Sequence, residues 1–167
     1  MLLTDLSVIK EIAAEKEDEN DAFRIFLKNA DSKEIDLMVH ATNDAVAPQI
    51  DCTQCGNYCR SLMINVTATE LTNLSHLLET DETTIKEKYI EESAGGQLVI
   101  NSIPCHFLSG SRCSIYVNRF FECREFPHLH KDRFTGRLFG TLQYYAMCPI
   151  IFNVVEALKK KTGFSPS

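Results

Sequence analysis

The sequence predicts a mainly α-helical protein with a short β hairpin possible, organised as one small cysteine-rich domain centred on metal. Apolar residues recur at helical spacing on both sides of the cysteine-rich part of the chain. The 167 residues are 44% hydrophobic and 24% charged, which is typical of a globular domain with a buried core. Seven cysteines are present, and six of them lie between positions 52 and 123.

Residues 1–50 are predicted to form a helical N-terminal segment that packs on the rest of the protein. Leucine, isoleucine and alanine recur at helical spacing over residues 3–16, and a second helix is predicted over residues 21–29. A third helix is predicted to start after Asp31 or Ser32, because Asp31 is followed three positions later by a glutamate, as in a capping box. Pro48 ends it. No chemistry is evident in this segment, so a packing or docking role is expected.

The middle of the chain mixes helices with short strands. The Thr-Ala-Thr-Glu run at 67–70 forms a second capping box and predicts a helix after it. A further helix is expected over residues 81–92, and the glycine pair at 95–96 breaks it. Residues 98–100 read as a strand, and residues 115–117 are a second strand candidate that could complete a hairpin.

The last helix has clear start and stop signals. Pro149 suits the first helical position, while three lysines and Gly163 suit the C-terminal end. Cys148 then falls at the N-cap. Because a helix N-terminus stabilises a thiolate, Cys148 is a candidate metal ligand, with a buried thiol beside the core as the alternative.

The cysteines are best interpreted as metal ligands. Cys52 and Cys55 are three residues apart in a loop that contains Gly56, and this spacing lets two sulfurs face one cation. Cys59 adds a third thiol. An odd number of cysteines and the absence of an apolar signal segment argue against a secreted disulfide scaffold. Residues 51–167 are therefore predicted to be a cysteine-cluster metal-binding domain.

The later cysteines stand in recognisable contexts, namely Pro-Cys-His-Phe at 104–107, Cys-Ser-Ile-Tyr at 113–116, Cys-Arg-Glu-Phe-Pro at 123–127 and Cys-Pro at 148–149. With the opening loop, they resemble the YkgJ-type family of zinc- or iron-chelating proteins, which carry a CxxCxxCC signature. The resemblance covers roughly residues 51–150. It implies a domain that holds zinc, iron or an iron–sulfur cluster. Related cysteine domains in flagellin lysine methylases imply a link to protein modification.

This chain departs from the family signature at one position. It has Tyr58-Cys59 where the family has two adjacent cysteines, so eight thiols become seven. His106, His128 or His130 could complete a site, since zinc accepts mixed cysteine and histidine ligands. Tyr58 could ligate ferric iron or simply pack beside the site. The predicted metal ligands are Cys52, Cys55, Cys59, Cys105, Cys113, Cys123 and Cys148.

Three classes of function remain open. The first is a structural or sequestering metal site, with a closed thiolate shell. The second is an iron–sulfur centre acting in redox chemistry or as a component of a protein-modification enzyme. The third is a metal-stabilised protein-interaction module. Zinc and iron–sulfur clusters use the same thiolate ligands, so the sequence does not choose between them, and enzyme activity stays open.

Charge and hydropathy disfavour nucleic acid and membrane as partners of this protein. The formal net charge is −6, and residues 1–50 hold 11 acidic against 5 basic side chains, which disfavours nucleic-acid binding. Residues 110–167 hold 9 basic against 4 acidic side chains, and Arg112, Arg119 and Arg124 are expected to offset thiolate charge.

Aromatic residues in 126–147 predict a loop packed on the core, or one facing a ligand over the metal. No run of about 18 apolar residues exists, so no membrane span and a cytoplasmic location are expected.

Overall fold

The computed structural model describes residues 1–166 and is mainly helical, as the sequence predicts. Within those residues the α-helices are α1 (Leu6–Glu15), α2 (Glu17–Leu27), α3 (Ser32–Val46), α4 (Cys52–Cys55), α5 (Asn57–Ser61), α6 (Ala68–Leu77), α7 (Glu82–Tyr89), α8 (Phe121–Glu125), α9 (Phe134–Leu142) and α10 (Pro149–Lys161). Short 3-10 helices cover Ala47–Gln49 and Tyr116–Asn118.

Five short strands form two antiparallel sheets. They are β1 (Asn65–Val66), β2 (Ile90–Glu92), β3 (Leu98–Ile100), β4 (Leu108–Ser109) and β5 (Arg112–Cys113). The first sheet has the order β1-β3-β2, and the second is the β4–β5 hairpin, in which Leu108 pairs with Cys113. The described residues group into two compact units. We call residues 1–51 and 127–166 the helical unit and residues 52–126 the cysteine unit.

In the helical unit, α10 packs against α3 and α1, and α9 packs against α2 and α3. Apolar stripes at helical spacing face one another in its core. The predicted start of α10 is confirmed, because Pro149 is its first residue and Cys148 its N-cap. The buried apolar residues on α10 are Ile150, Ile151, Phe152, Val154, Val155 and Leu158.

A buried carboxylate on α3 supplies the N-terminal cap of α9. Asp36 is 8% exposed, and its two oxygens accept hydrogen bonds from the backbone N–H groups of Arg133 and Phe134, each at 2.8 Å. Arg133 has φ +61 and occupies the N-cap position of α9, but its own side chain makes no capping hydrogen bond. Phe134, the first residue of α9, is fully buried. Thus a side chain almost 100 residues earlier satisfies the start of this helix.

A charged cluster ties α10 to the start of the helical unit. The carboxylate of Glu156 accepts hydrogen bonds from Lys16 Nζ at 2.5 Å and from Tyr145 Oη at 2.8 Å, and it forms an ion pair with Lys159 at 2.7 Å. Lys159, which is 5% exposed, also donates to Glu19 at 2.7 Å. Burial acts to raise the pKa of Glu156, but these hydrogen bonds outweigh it and lower the pKa from its ordinary value of 4.5.

The cysteine unit has its own apolar core. The predicted capping box is confirmed, since Thr67 Oγ1 accepts from Glu70 N at 3.2 Å while the Glu70 carboxylate accepts from Thr67 N at 2.9 Å. The helix that follows buries Leu71 and Leu74 in the same core cluster as Val66, Ile90 and Ile100 of the three-stranded sheet. The buried core residues of this unit are Ile64, Val66, Leu71, Leu74, Ile85, Ile90, Ile100, Cys105, Phe107, Ile115 and Phe120.

Two local predictions were wrong in this unit. The helix predicted over 81–92 ends at Tyr89, and its last three residues form β2 and pair with β3. Residues 115–117 do not form a strand. Instead, a 3-10 helix begins at Tyr116, because Ile115 turns into the core while Val117 is 84% exposed. Strand β3 pairs with β1 along one edge and with β2 along the other, so residues 115–117 have no free edge of β3 to pair with.

A first prediction concerns the cap of α9. Asp36→Ala should lower the free energy of unfolding by about 1–3 kcal/mol, because two buried N–H groups lose their acceptor. Asp36→Asn keeps one acceptor oxygen and should cost less. Urea unfolding measures both. The control is Asp44→Ala, an exposed acid on the same helix, which should change stability by at most about 0.5 kcal/mol. Equal losses for Asp36→Ala and Asp44→Ala would contradict the capping role.

A second prediction concerns pH. Glu156→Gln should destabilise the protein by about 1–3 kcal/mol at pH 7, because Lys16 and Lys159 lose a charged acceptor. The folded-state pKa of Glu156 lies below its unfolded value near 4.5, so its stabilising effect is present above that pH and is lost as the pH falls. The stability gap between the two proteins should therefore close below about pH 4.5. Exposed Glu15→Gln is the control, and a gap that stays constant with pH would refute the assignment.

Candidate metal centre

The first three cysteines lie on two short helices joined by one glycine. Cys52 and Cys55 are the ends of α4, Gly56 follows with φ +59, and Cys59 lies within α5. This left-handed conformation is easily adopted only by glycine. It ends α4 and allows α5 to begin at the next residue, so the three thiols lie within eight consecutive residues.

The cysteine loop is held closely against the turn of the β4–β5 hairpin. A Cβ atom at Gly56 would lie 2.8 Å from the carbonyl oxygen of Ser111, so no side chain fits between the two backbones. The Arg60 guanidinium donates to the carbonyl oxygens of Cys55 and Gly110, each at 2.7 Å. Helix α4 thereby contacts β5, which carries Cys113.

Hydrogen bonds and apolar packing bring the remaining cysteines of this unit to the same core. The N–H of Cys105 donates to the carbonyl oxygen of Cys59 at 2.8 Å. Cys123 lies on α8, which Glu122 ties to β1 by accepting from Asn65 N at 2.6 Å and Nδ2 at 2.9 Å. Cys105 belongs to the buried core cluster, and Cys59, Cys113 and Cys123 pack against that cluster.

The four thiols act on one another electrostatically. Burial raises the pKa of Cys59 to about 11, and the neighbouring thiols of Cys105 and Cys113 add to the shift while Arg60 opposes it. Burial likewise raises the pKa of Cys123 to about 12, and Cys59, Cys105 and Cys113 all contribute. The pKa of Cys105 is also raised, first by burial. Without a cation, the thiols of Cys59, Cys105 and Cys123 therefore stay protonated at neutral pH.

Burial differs among the seven predicted ligands. In the cysteine unit, Cys105 is buried, Cys55, Cys59, Cys113 and Cys123 are half-buried, and Cys52 is exposed. Cys148 belongs to the helical unit, where it is buried at the start of α10. None of the seven forms a disulfide within residues 1–166.

The side chains named as alternatives have other contacts or lie in the other unit. His106 is exposed, its Nε2 lies 2.6 Å from Asn101 Oδ1, and its ring stands edge-on to Tyr89. Tyr58 packs its ring 4.4 Å from that of Phe126, beside the core cluster. His128 and His130 belong to the helical unit.

Sequence reasoning did not single out Arg60. The arginines predicted to lie near thiolates were Arg112, Arg119 and Arg124. In the structure, Arg60 is the arginine whose charge opposes the rise in the pKa of Cys59. Its position directly after a predicted ligand was a usable signal. Its two backbone hydrogen bonds could not be predicted, because Gly110 lies 50 residues further along the chain.

The donor set fits a thiophilic metal ion. Four cysteine sulfurs from four separate segments meet at one core, and thiolates are preferred ligands of zinc and of iron–sulfur clusters. Among residues 1–166, no three Cys, His, Asp or Glu side chains are already set in ligand positions around a common point. A thiol binds such an ion as the thiolate, so binding requires the loss of its proton.

Comparison with protein families gives one match. Residues 51–145 match the model of a family called CxxCxxCC, described as a "putative zinc- or iron-chelating domain". The chain belongs to the CxxCxxCC family. The match spans the whole cysteine unit and supports metal binding as its general property. Comparisons with curated proteins and with solved structures gave no match. Among residues 1–166, no helix combines the length and apolar character needed to cross a membrane.

The close approach of Gly56 gives a third prediction. Gly56→Ala should cost about 2–4 kcal/mol, because a Cβ atom meets both an unfavourable φ and the Ser111 backbone. The matched control is Gly110→Ala in the β4–β5 turn, where φ is +62 but nothing lies within 4 Å of the added carbon. That change should cost only about 1–2 kcal/mol. Chemical unfolding of the protein as purified measures the two costs, and a larger loss for Gly110→Ala would show that the packing argument fails.

Proposed function

We propose that this CxxCxxCC-family protein holds a metal ion in a closed four-thiolate centre made by Cys59, Cys105, Cys113 and Cys123. The observation that carries the proposal is the convergence of these four thiols on one apolar core from four different segments. Zinc is the occupant that this ligand set favours, because four thiolates complete its tetrahedral shell. Such a centre leaves no open position for a substrate, so its role is structural or sequestering.

The metal would link distant parts of the cysteine unit. Helix α5, the segment before β4, strand β5 and helix α8 each contribute one ligand. A unit of this size has a small core, and small domains often rely on a bound metal for much of their stability. The bound ion supplies the positive charge that lets the four sulfurs ionise together, and Arg60 adds to it at Cys59.

An iron–sulfur centre is the second candidate. The observation in its favour is that the contact between α4 and β5 brings Cys52 and Cys55 to the hairpin that carries Cys113. The cysteine unit then holds six thiols, two more than one zinc ion needs. These extra thiols could serve a cluster or a second ion. Cys148 stays a predicted ligand that needs its own test.

A fourth prediction tests the ligand set. Cys123→Ser should lose most of the bound metal and should melt at a lower temperature, because one thiolate of a closed shell is removed. Cys55→Ser should also lower metal content and stability if the α4 thiols take part. Elemental analysis after anaerobic purification and thermal unfolding give the two readouts. Unchanged metal content and melting temperature in Cys123→Ser would refute the four-thiolate centre.

The same samples separate the two candidates. A colourless protein with bound zinc indicates the structural centre, whereas a brown protein with iron and acid-labile sulfide indicates a cluster. Cys148→Ser provides the comparison from the helical unit. If this variant keeps its metal, the ligands lie within residues 52–126; if it loses the metal, the ligand set includes Cys148.

A further inference from the structure

A groove in the cysteine unit contains none of the thiols. It lies between α6 and the segment from Asn118 to Arg124, with a volume of about 440 Å³. Its polar lining includes His76, Arg119, Arg124, Asn73 and Asn118. Two guanidinium groups and two amides in one concave surface offer many hydrogen-bond donors, which suits a ligand rich in acceptors.

Positive charge exceeds negative charge in the lining of this groove, where Arg119 and Arg124 stand against the single carboxylate of Glu70. Glu70 also lines it, but the Glu70 carboxylate accepts from Thr67 N at 2.9 Å and from Phe121 N at 2.5 Å. It is therefore engaged in holding backbone groups. Within residues 1–166, neither Arg119 nor Arg124 forms an ion pair with a carboxylate.

Arg119 is positioned in advance for binding. Its guanidinium stacks 4.1 Å above the ring of Tyr116, and its Nη1 donates to the carbonyl oxygen of the same residue at 2.8 Å. The remaining N–H groups stay available for a ligand, and the fixed orientation lowers the entropy lost on binding. Arg124 is exposed on α8 and contributes the second charge.

Apolar surface accompanies the arginines. Leu77 lines the groove and is 40% exposed, and Phe121, next to the lining residue Phe120, is 55% exposed. A ligand that covers both kinds of surface needs acidic groups and an apolar side chain. A long polyphosphate is disfavoured because it would also meet the rest of the cysteine unit, which holds 9 acidic against 6 basic side chains. A short segment meets only the groove, where two arginines stand against one glutamate.

We propose that this groove binds a short acidic segment of a partner protein. Carboxylates of the segment pair with Arg119 and Arg124, and an apolar side chain packs on Leu77. The inference rests on the groove alone and holds for either metal candidate. It assigns the cysteine unit a peptide-docking surface on the side of α6 that faces the 118–124 segment.

The test uses fluorescence anisotropy with the full-length protein as purified. The probe is a labelled ten-residue peptide that alternates glutamate with leucine or phenylalanine. We expect saturable binding that weakens with added salt. Arg124→Glu should weaken binding by about tenfold or more, because an attractive charge becomes a repulsive one. Lys86→Glu, an equal charge change at an exposed site on α7, should alter affinity by less than about twofold.

Several outcomes would overturn the proposal. No binding of the glutamate peptide below about 1 mM would do so, since affinity weaker than that is not specific docking. Equal binding of a peptide with glutamine in place of glutamate would also refute it. So would equal losses in Arg124→Glu and Lys86→Glu, or tighter binding of a single-stranded oligonucleotide than of the peptide. Metal content and melting temperature are measured for each variant, and His76→Gln is a second variant of the groove that lies far in sequence from the cysteines.

Discussion

The close approach of Gly56 to the β4–β5 turn determines where the cysteine loop lies. No Cβ atom fits between Gly56 and the Ser111 carbonyl, and Arg60 fastens both sides of the contact through backbone oxygens. Once the loop is fixed there, α4 lies beside β5, and α5 meets the segment before β4 through a hydrogen bond from Cys105 N to the carbonyl oxygen of Cys59. The gathering of thiols on the apolar core thus follows from a steric constraint at a residue that carries no side chain.

Helices with local signals could be predicted from the sequence, and those with distant signals could not. The caps at Asp31 and Thr67 lie within three residues of the groups they bind, so a short window of sequence contains the whole interaction. Helix α9 has no such signal, because its cap is Asp36 on another helix and its own N-cap is Arg133 in a left-handed conformation. The strand prediction for residues 115–117 was wrong because a local pattern was present without the strand it usually accompanies. Their apolar character fits a strand, but a single buried side chain at Ile115 explains it.

The candidate site was predictable in its chemistry and not in its arrangement. The number and spacing of cysteines predict thiolate ligands, because few other roles bring so many thiols into one stretch of chain, and the family match supports metal binding in general. Which of them meet depends on the path of the backbone between Cys59, Cys105 and Cys123, and that path is set by tertiary contacts such as the one from Glu122 to Asn65. The helix N-terminus correctly located Cys148 in the fold, but it could not tell which compact unit this residue joins.

The two units are connected in an unusual order. The cysteine unit is one continuous stretch, whereas the helical unit is assembled from residues on both sides of it, and α3 needs α10 to cover its apolar face. During synthesis the chain emerges from its N-terminal end, so every residue of the cysteine unit leaves the ribosome before the residues of α9 and α10 do. The predicted ligands from Cys52 to Cys123 can therefore meet a cation on the nascent chain before α9 and α10 are free to pack on the first three helices.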